Sequence, residues 1–190
     1  MYPFLIAILF FPSVSSQGVT SSGIPFSDLQ EFLYTSRRTW IFASSQPAVY
    51  HGSNATCIYY RTRNQTTTSV TLLYKFVVNM TVHNKTVQAQ LLQGPPPSMN
   101  MTDWNDISVM KKLMYYSKYL WCAIFLVNMV DDEHAVPWCE LHVQGPALRD
   151  FFKRGINFTE CDKKYKEICE DKPEIVLITK DCPNKKNVTE

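Results

Sequence analysis

From Thr56 to Val143 apolar and polar residues alternate in short runs, the period of strands that bury one face, and each run ends at a polar or proline-rich break. The runs are Thr56–Arg63, Ser69–Asn79, Lys85–Leu92, Met99–Trp104, Val109–Tyr116, Leu120–Met129 and Val136–Gln144; a strand near Arg38–Phe42 brings them to eight. The breaks, Asn64–Thr68, Met80–Asn84, Gly94–Pro97, Ser117–Tyr119 and Asp131–Ala135, are short, so strands adjacent in sequence should pair in space. Two regions carry the helical period instead. In Ser27–Ser36, Leu29, Phe32 and Leu33 share a face, with Ser27 expected as N-cap and Asp28 and Glu31 near the positive end of the dipole. Beyond Gly145-Pro146, Leu148, Phe151 and Phe152 share a helical face, and a second helix is expected from Thr159 to Cys169, with Thr159 as cap and Asp162 three residues on. Glu174–Thr179 reads as a final short strand. The expected fold is mainly β: a closed eight-stranded antiparallel barrel with a short N-terminal helix and a C-terminal helix packed outside. Closure removes unpaired edges and leaves an interior able to hold one small ligand.

Residues 1–16 form an apolar run too short to span a bilayer and end in small residues, which predicts a signal peptide cleaved after Ser16 and one domain over residues 17–190. Leu120–Val130 stops at Asp131-Asp132, so no membrane anchor is expected and the mature protein should be released to the extracellular space. Seven of the ten asparagines open a glycosylation sequon: Asn54, Asn64, Asn79, Asn84, Asn100, Asn157 and Asn187. Chance would give about one or two. Six cysteines, Cys57, Cys122, Cys139, Cys161, Cys169 and Cys182, read as three disulfides in such a compartment, with the pairing left open by the count.

Chemistry is constrained mostly by exclusion. A net charge of +2, with the densest basic run Lys163-Lys164-Tyr165-Lys166 interleaved by Asp162 and Glu167, does not suit nucleic acid. No Cys or His spacing offers a metal site, no cofactor motif is present, and no nucleophile elbow or phosphate loop points to an enzyme.

Strand alternation locates the candidate site. If the late helix packs outside the barrel, a strand cysteine bridged to it must point outward. Cys139, Leu141 and Val143 then face out, and Trp138, Glu140 and His142 face the lumen. In the same way Cys122 outward turns Trp121, Ala123 and Phe125 inward, and Cys57 outward turns Ile58 and Tyr60 inward. A lumen rich in aromatics with one carboxylate beside one imidazole suits a cationic, partly apolar guest. Two other readings stay open: Glu140 and His142 satisfy each other in a filled core, or the register is inverted and both face solvent.

The chain resembles the salivary lipocalins of ticks, the family that includes the histamine-binding proteins. The resemblance rests on an early helix before Trp40, the strand cysteine in Thr56-Cys-Ile-Tyr59, the Cys-x-x-Phe-x-Val pattern from Cys122, Cys-Glu-Leu-x-Val at Cys139–Val143, and Cys-x-x-x-Tyr-x-x-x-Cys at Cys161–Cys169 ending near Cys182. It implies the pairs Cys57–Cys182, Cys122–Cys161 and Cys139–Cys169. It also implies capture of a small host mediator, either a biogenic amine such as histamine or a lipid such as a leukotriene, or else binding of a host immune protein such as complement. Glu140 matches the carboxylate that contacts the amine in histamine binders, whereas His142 stands where an aromatic is usual. The early strands show Tyr60, Leu72, Tyr74 and Phe76 and no obvious second acidic residue. The ligand-contacting set expected on this basis is Trp40, Tyr60, Tyr74, Phe76, Trp121, Phe125, Trp138, Glu140 and His142.

Overall fold

The computed structural model describes residues 23–148, 159–170, 172–178 and 182. The signal segment, Phe151, Phe152, Asn157 and Asn187 lie outside them.

The strands are β1 (Thr39–Ser44), β2 (Val49–Tyr50), β3 (Ser53–Arg63), β4 (Ser69–Val78), β5 (Thr81–Leu92), β6 (Ser98–Thr102), β7 (Ser108–Ser117), β8 (Cys122–Met129), β9 (Trp138–Gln144) and β10 (Ile175–Val176); the helices are α1 (Phe26–Leu33) and α2 (Thr159–Cys169). Sequential antiparallel pairing runs from β3 to β9, β9 pairs with β1, and β1 returns to β3 through Thr39 opposite Tyr60 and Trp40 opposite Tyr59. The eight-stranded barrel is therefore closed, with β2 and β10 as short additions on β3 and β1.

Alternation sorts the side chains into two cores. The lumenal core takes Ile41, Ile58, Tyr60, Leu72, Tyr74, Phe76, Leu113, Phe125 and Trp138, among others. The outer core takes Trp40, Tyr59, Ile124, Leu141, Val143 and all six cysteines, under Tyr165 of α2. Cys57–Cys182, Cys122–Cys161 and Cys139–Cys169 are paired, each joining a barrel strand to the C-terminal segment.

A bulge makes the Cys57 pairing geometrically available. Ala55 faces the lumen, so strict alternation would turn Cys57 inward too. The register of β3 on β4 shifts between Thr56 and Tyr59, and Cys57 takes φ 55°, which reverses the faces beyond it. Cys57 then reaches the outer core, and Ile58 and Tyr60 reach the lumen.

Helix α1 stops one end of the barrel with the expected face: Leu29, Phe32 and Leu33 are fully buried in the lumenal core. Phe32 lies edge-on to Tyr116 at 5.7 Å and against Phe125 at 5.8 Å. The barrel bonds its C-terminal carbonyls: Gln65 Nε2 donates at 3.0 Å to Gln30 O, which also accepts from the Tyr34 amide, and Gln144 Nε2 donates to Phe32 O at 2.9 Å.

Several local expectations are corrected. Helix α1 begins at Phe26 with Pro25 at the N-cap position and no side-chain cap, so Ser27 lies inside the first turn. Asn79 and Met80, both at positive φ, make a two-residue hairpin turn, and Asn84 lies within β5, facing solvent, instead of in a connection. The strand β10 is shorter than the expected Glu174–Thr179. The helix expected after Gly145 starts at residues 145–148 with Leu148 buried.

Candidate functional site

At the end of the barrel opposite α1 lies a cavity of about 250 Å³. Its apolar walls are Ile41, Ile58, Ile107, Met129, Trp104 and Trp138, and the acidic residues Asp103 and Glu140 line it as well. Asn105 also lines it, with Oδ1 buried and without a hydrogen-bond partner.

Both carboxylates belong to one buried network. Lys111 Nζ lies 2.6 Å from Asp103 Oδ2 and 2.7 Å from Glu140 Oε2, and its side chain is fully buried. His142 Nε2 lies 2.8 Å from Glu140 Oε2, and Tyr60 Oη lies 3.0 Å from His142 Nδ1. One tautomer serves both contacts: Nε2–H donates to Glu140, and Nδ1 accepts from the Tyr60 hydroxyl. Trp138 Nε1 donates to Glu140 Oε1 at 3.2 Å, and the Trp104 backbone amide donates to Asp103 Oδ1 at 2.8 Å. The Tyr74 hydroxyl also bonds Asp103.

The electrostatics follow from burial opposed by pairing. Burial disfavours the charged form of Glu140, yet the Lys111 ammonium and the hydrogen bonds from His142 and Lys111 prevail and hold its pKa at about 2. For Lys111 burial is likewise outweighed, here by two carboxylates, and its pKa is raised. For His142 burial wins over the pull of Glu140 and the pKa is lowered, so the imidazole is neutral near pH 7. Burial, reinforced by the carboxylates, pushes the Tyr60 and Tyr74 phenols well up. With two carboxylates, one ammonium and a neutral imidazole, the cluster carries one net negative charge. Lys85 of β5 is occupied by the carboxylate of Asp106 and the backbone oxygen of Asp103.

Of the residues expected to contact a ligand, Trp138 and Glu140 line the cavity. His142, Tyr60 and Phe125 sit deeper, the first two inside the network and Phe125 with its ring 4.7 Å from His142. Tyr74 supports Asp103, and Phe76 packs against Trp104 at 4.9 Å. Two expectations are corrected. Trp40 lies in the outer core, 4.7 Å from Tyr59, because it is an even-phase neighbour of Thr39, which faces inward opposite Tyr60. Trp121 belongs to the turn before β8, at φ 57°, with the Arg37 guanidinium 4.4 Å from its ring. Of the two further readings of Glu140 and His142, the solvent-facing one does not hold, since both are buried. They do bond to each other, but Glu140 also meets Lys111 and the cavity.

Asp103 and Lys111 went unpredicted, although alternation would have found them. Met101 is lumenal, which turns Asp103 inward; Val109 and Leu113 are lumenal, which turns Lys111 inward. The misleading prior is that a lysine in an amphipathic strand faces water.

No family model matches the chain, and no curated protein is similar to it in sequence. Solved structures share its fold. One is the crystal structure of AM182 in complex with serotonin, with a TM-score of 0.55 at 16% identity, covering 78% of this chain and 86% of that one. Another is the siderocalin Ex-FABP, described as functioning through dual ligand specificities, with a TM-score of 0.52 at 11% identity, covering 76% of this chain and 93% of that one. Both are lipocalin-type proteins with an eight-stranded barrel. No helix among the described residues is long and apolar enough to cross a membrane.

Proposed function

We propose that the protein is a secreted lipocalin-type scavenger, without chemistry of its own, that sequesters a small biogenic amine of a host in the cavity opposite α1 and so blunts inflammation. The observation that carries this reading is the pair of buried acidic residues, Asp103 and Glu140, lining a small cavity walled by Trp104 and Trp138. An ammonium held there would meet excess negative charge in a low dielectric and two indole faces, and the orphan Asn105 Oδ1 would accept a further N–H or O–H of the guest.

Size favours an amine over a lipid mediator. A cavity of about 250 Å³ is smaller than the roughly 300–1,000 Å³ of pockets for drug-sized ligands. The barrel beyond it is filled by Tyr60, Tyr74 and Phe125 and stopped by Phe32, which opposes entry of a long acyl chain. The serotonin bound by AM182 and the resemblance to tick salivary lipocalins lend the same direction.

Isothermal titration against histamine, serotonin and a leukotriene tests the proposal. An amine is expected to bind, and Glu140→Gln is expected to weaken it at least about tenfold. Binding of no amine would sink the reading; an amine affinity untouched by Glu140→Gln would move the site elsewhere.

A further inference from the structure

We propose that Lys111 is a specificity-determining residue that sets the charge of the guest, so that the cavity takes amines with one positive charge and discriminates against those with two. The inference rests on the reading of the cavity as an amine site. Its basis is position. Lys111 reaches Asp103 Oδ2 at 2.6 Å and Glu140 Oε2 at 2.7 Å from the wall of β7, without lining the cavity itself. Beyond Lys111 each carboxylate meets neutral donors at its second oxygen, Asp103 Oδ1 the Trp104 amide and Glu140 Oε1 the Trp138 indole at 3.2 Å, and the Tyr74 hydroxyl that also bonds Asp103 is neutral too.

The chain thus supplies one of the two cations that a carboxylate pair invites and leaves room for one more. A buried charge is tolerated when it is compensated, and an uncompensated one is costly. A monocationic guest brings the cluster of Asp103, Glu140 and Lys111 to neutrality. A dication would leave one positive charge unmatched beside a lysine that water cannot reach, since its side chain is fully buried. No other cation among the cavity-lining residues alters this balance.

Matched probes of the same ring test it: benzylamine, with one ammonium, and p-xylylenediamine, with two, titrated calorimetrically at pH 7 while circular dichroism reports folding. The wild-type protein is expected to prefer benzylamine by at least about tenfold. Lys111→Met, which leaves two negative charges, is expected to reverse that order. Asp103→Asn, which leaves none in excess, is expected to weaken benzylamine at least about tenfold. The double variant Lys111→Met/Asp103→Asn restores one negative charge and is expected to recover benzylamine binding, which decides the matter even if Lys111→Met alone does not fold. An unchanged order in Lys111→Met, or no recovery in the double variant, overturns the role of Lys111. A wild-type protein that takes up neither probe overturns the amine reading itself.

Discussion

Glu140 is ionised inside a barrel, a state that exists only while Lys111 and His142 stay in place. This couples stability to pH with a definite sign. The folded-state pKa of Glu140 lies at about 2 against an ordinary 4.5, so between those values the unfolded chain binds more protons and acid favours unfolding. His142 is also lowered, from an ordinary 6.5, and adds the same sign over the window just below that value. Lys111, raised above 10.5, contributes stability that is full below that pH and is lost above it. Stability is therefore expected to be flat from about pH 7 to 10 and to fall in steps below 6.5 and below 4.5, the second step being on the order of 3 kcal/mol. Thermal melts at pH 7.5, 5.5 and 3.5 would show it, and Glu140→Gln should flatten the step below 4.5; an equal acid slope in that variant would place the sensitive carboxylate elsewhere. At this scale the lumenal placement of Trp138, Glu140 and His142 was legible from alternation once Cys139 was taken to bridge outward to the late helix. The partners Asp103 and Lys111 obey the same alternation, but a buried lysine makes sense only once its two carboxylates are seen together, and they come from different strands and loops.

Strand β3 shows how one element resolves a conflict in its own pattern. Ala55 and Cys57 share a phase but are needed on opposite faces, and the bulge with Cys57 at φ 55° separates them. A non-glycine residue in that region costs about 1–3 kcal/mol and persists only where its surroundings enforce it. Here the enforcement is the bond to Cys182, across a sequence separation of 125, and the hydrogen bond from Cys57 N to Leu177 O at 2.9 Å. Replacing both cysteines with alanine is expected to cost about 3–5 kcal/mol on the chain-entropy model, a loss of roughly 10 °C in Tm for a domain of this size. A change under about 2 °C in a calorimetric scan would mean that β10 holds β3 without the bridge. The strand runs themselves were readable to within a few residues, because each ends at a proline-rich or polar break. The bulge was not, since nothing in Ala55-Thr-Cys-Ile58 distinguishes it from an even alternation. The N-terminus of α1 was misplaced for a related reason: Ser27 has the chemistry of a cap, but Pro25 fixes the backbone two residues earlier.

Across the whole molecule the two barrel ends do different work. One is closed by α1 and its ring contacts; the other opens into the cavity, bordered by the loop from Asp103 to Ile107, and the Asn79-Met80 turn lies at that same end of the barrel. The five sequon asparagines among the described residues all point away from the lumen. Asn54, Asn64, Asn79 and Asn84 are exposed, and Asn100 alternates with the lumenal Met99 and Met101 on β6. Carbohydrate at these positions would coat the outer face and the turns while leaving the carboxylates untouched, which separates glycosylation from ligand capture. Protein expressed through a secretory pathway is accordingly expected to carry several N-glycans by intact mass, and enzymatic removal of them should leave the amine affinity within about twofold, because none of these side chains reaches the cavity. An affinity that falls tenfold on deglycosylation, with the melting temperature unchanged, would show that a glycan forms part of the mouth. The most informative single position is Asn79, whose turn lies at the open end, so Asn79→Gln alone should reproduce any such loss if it exists.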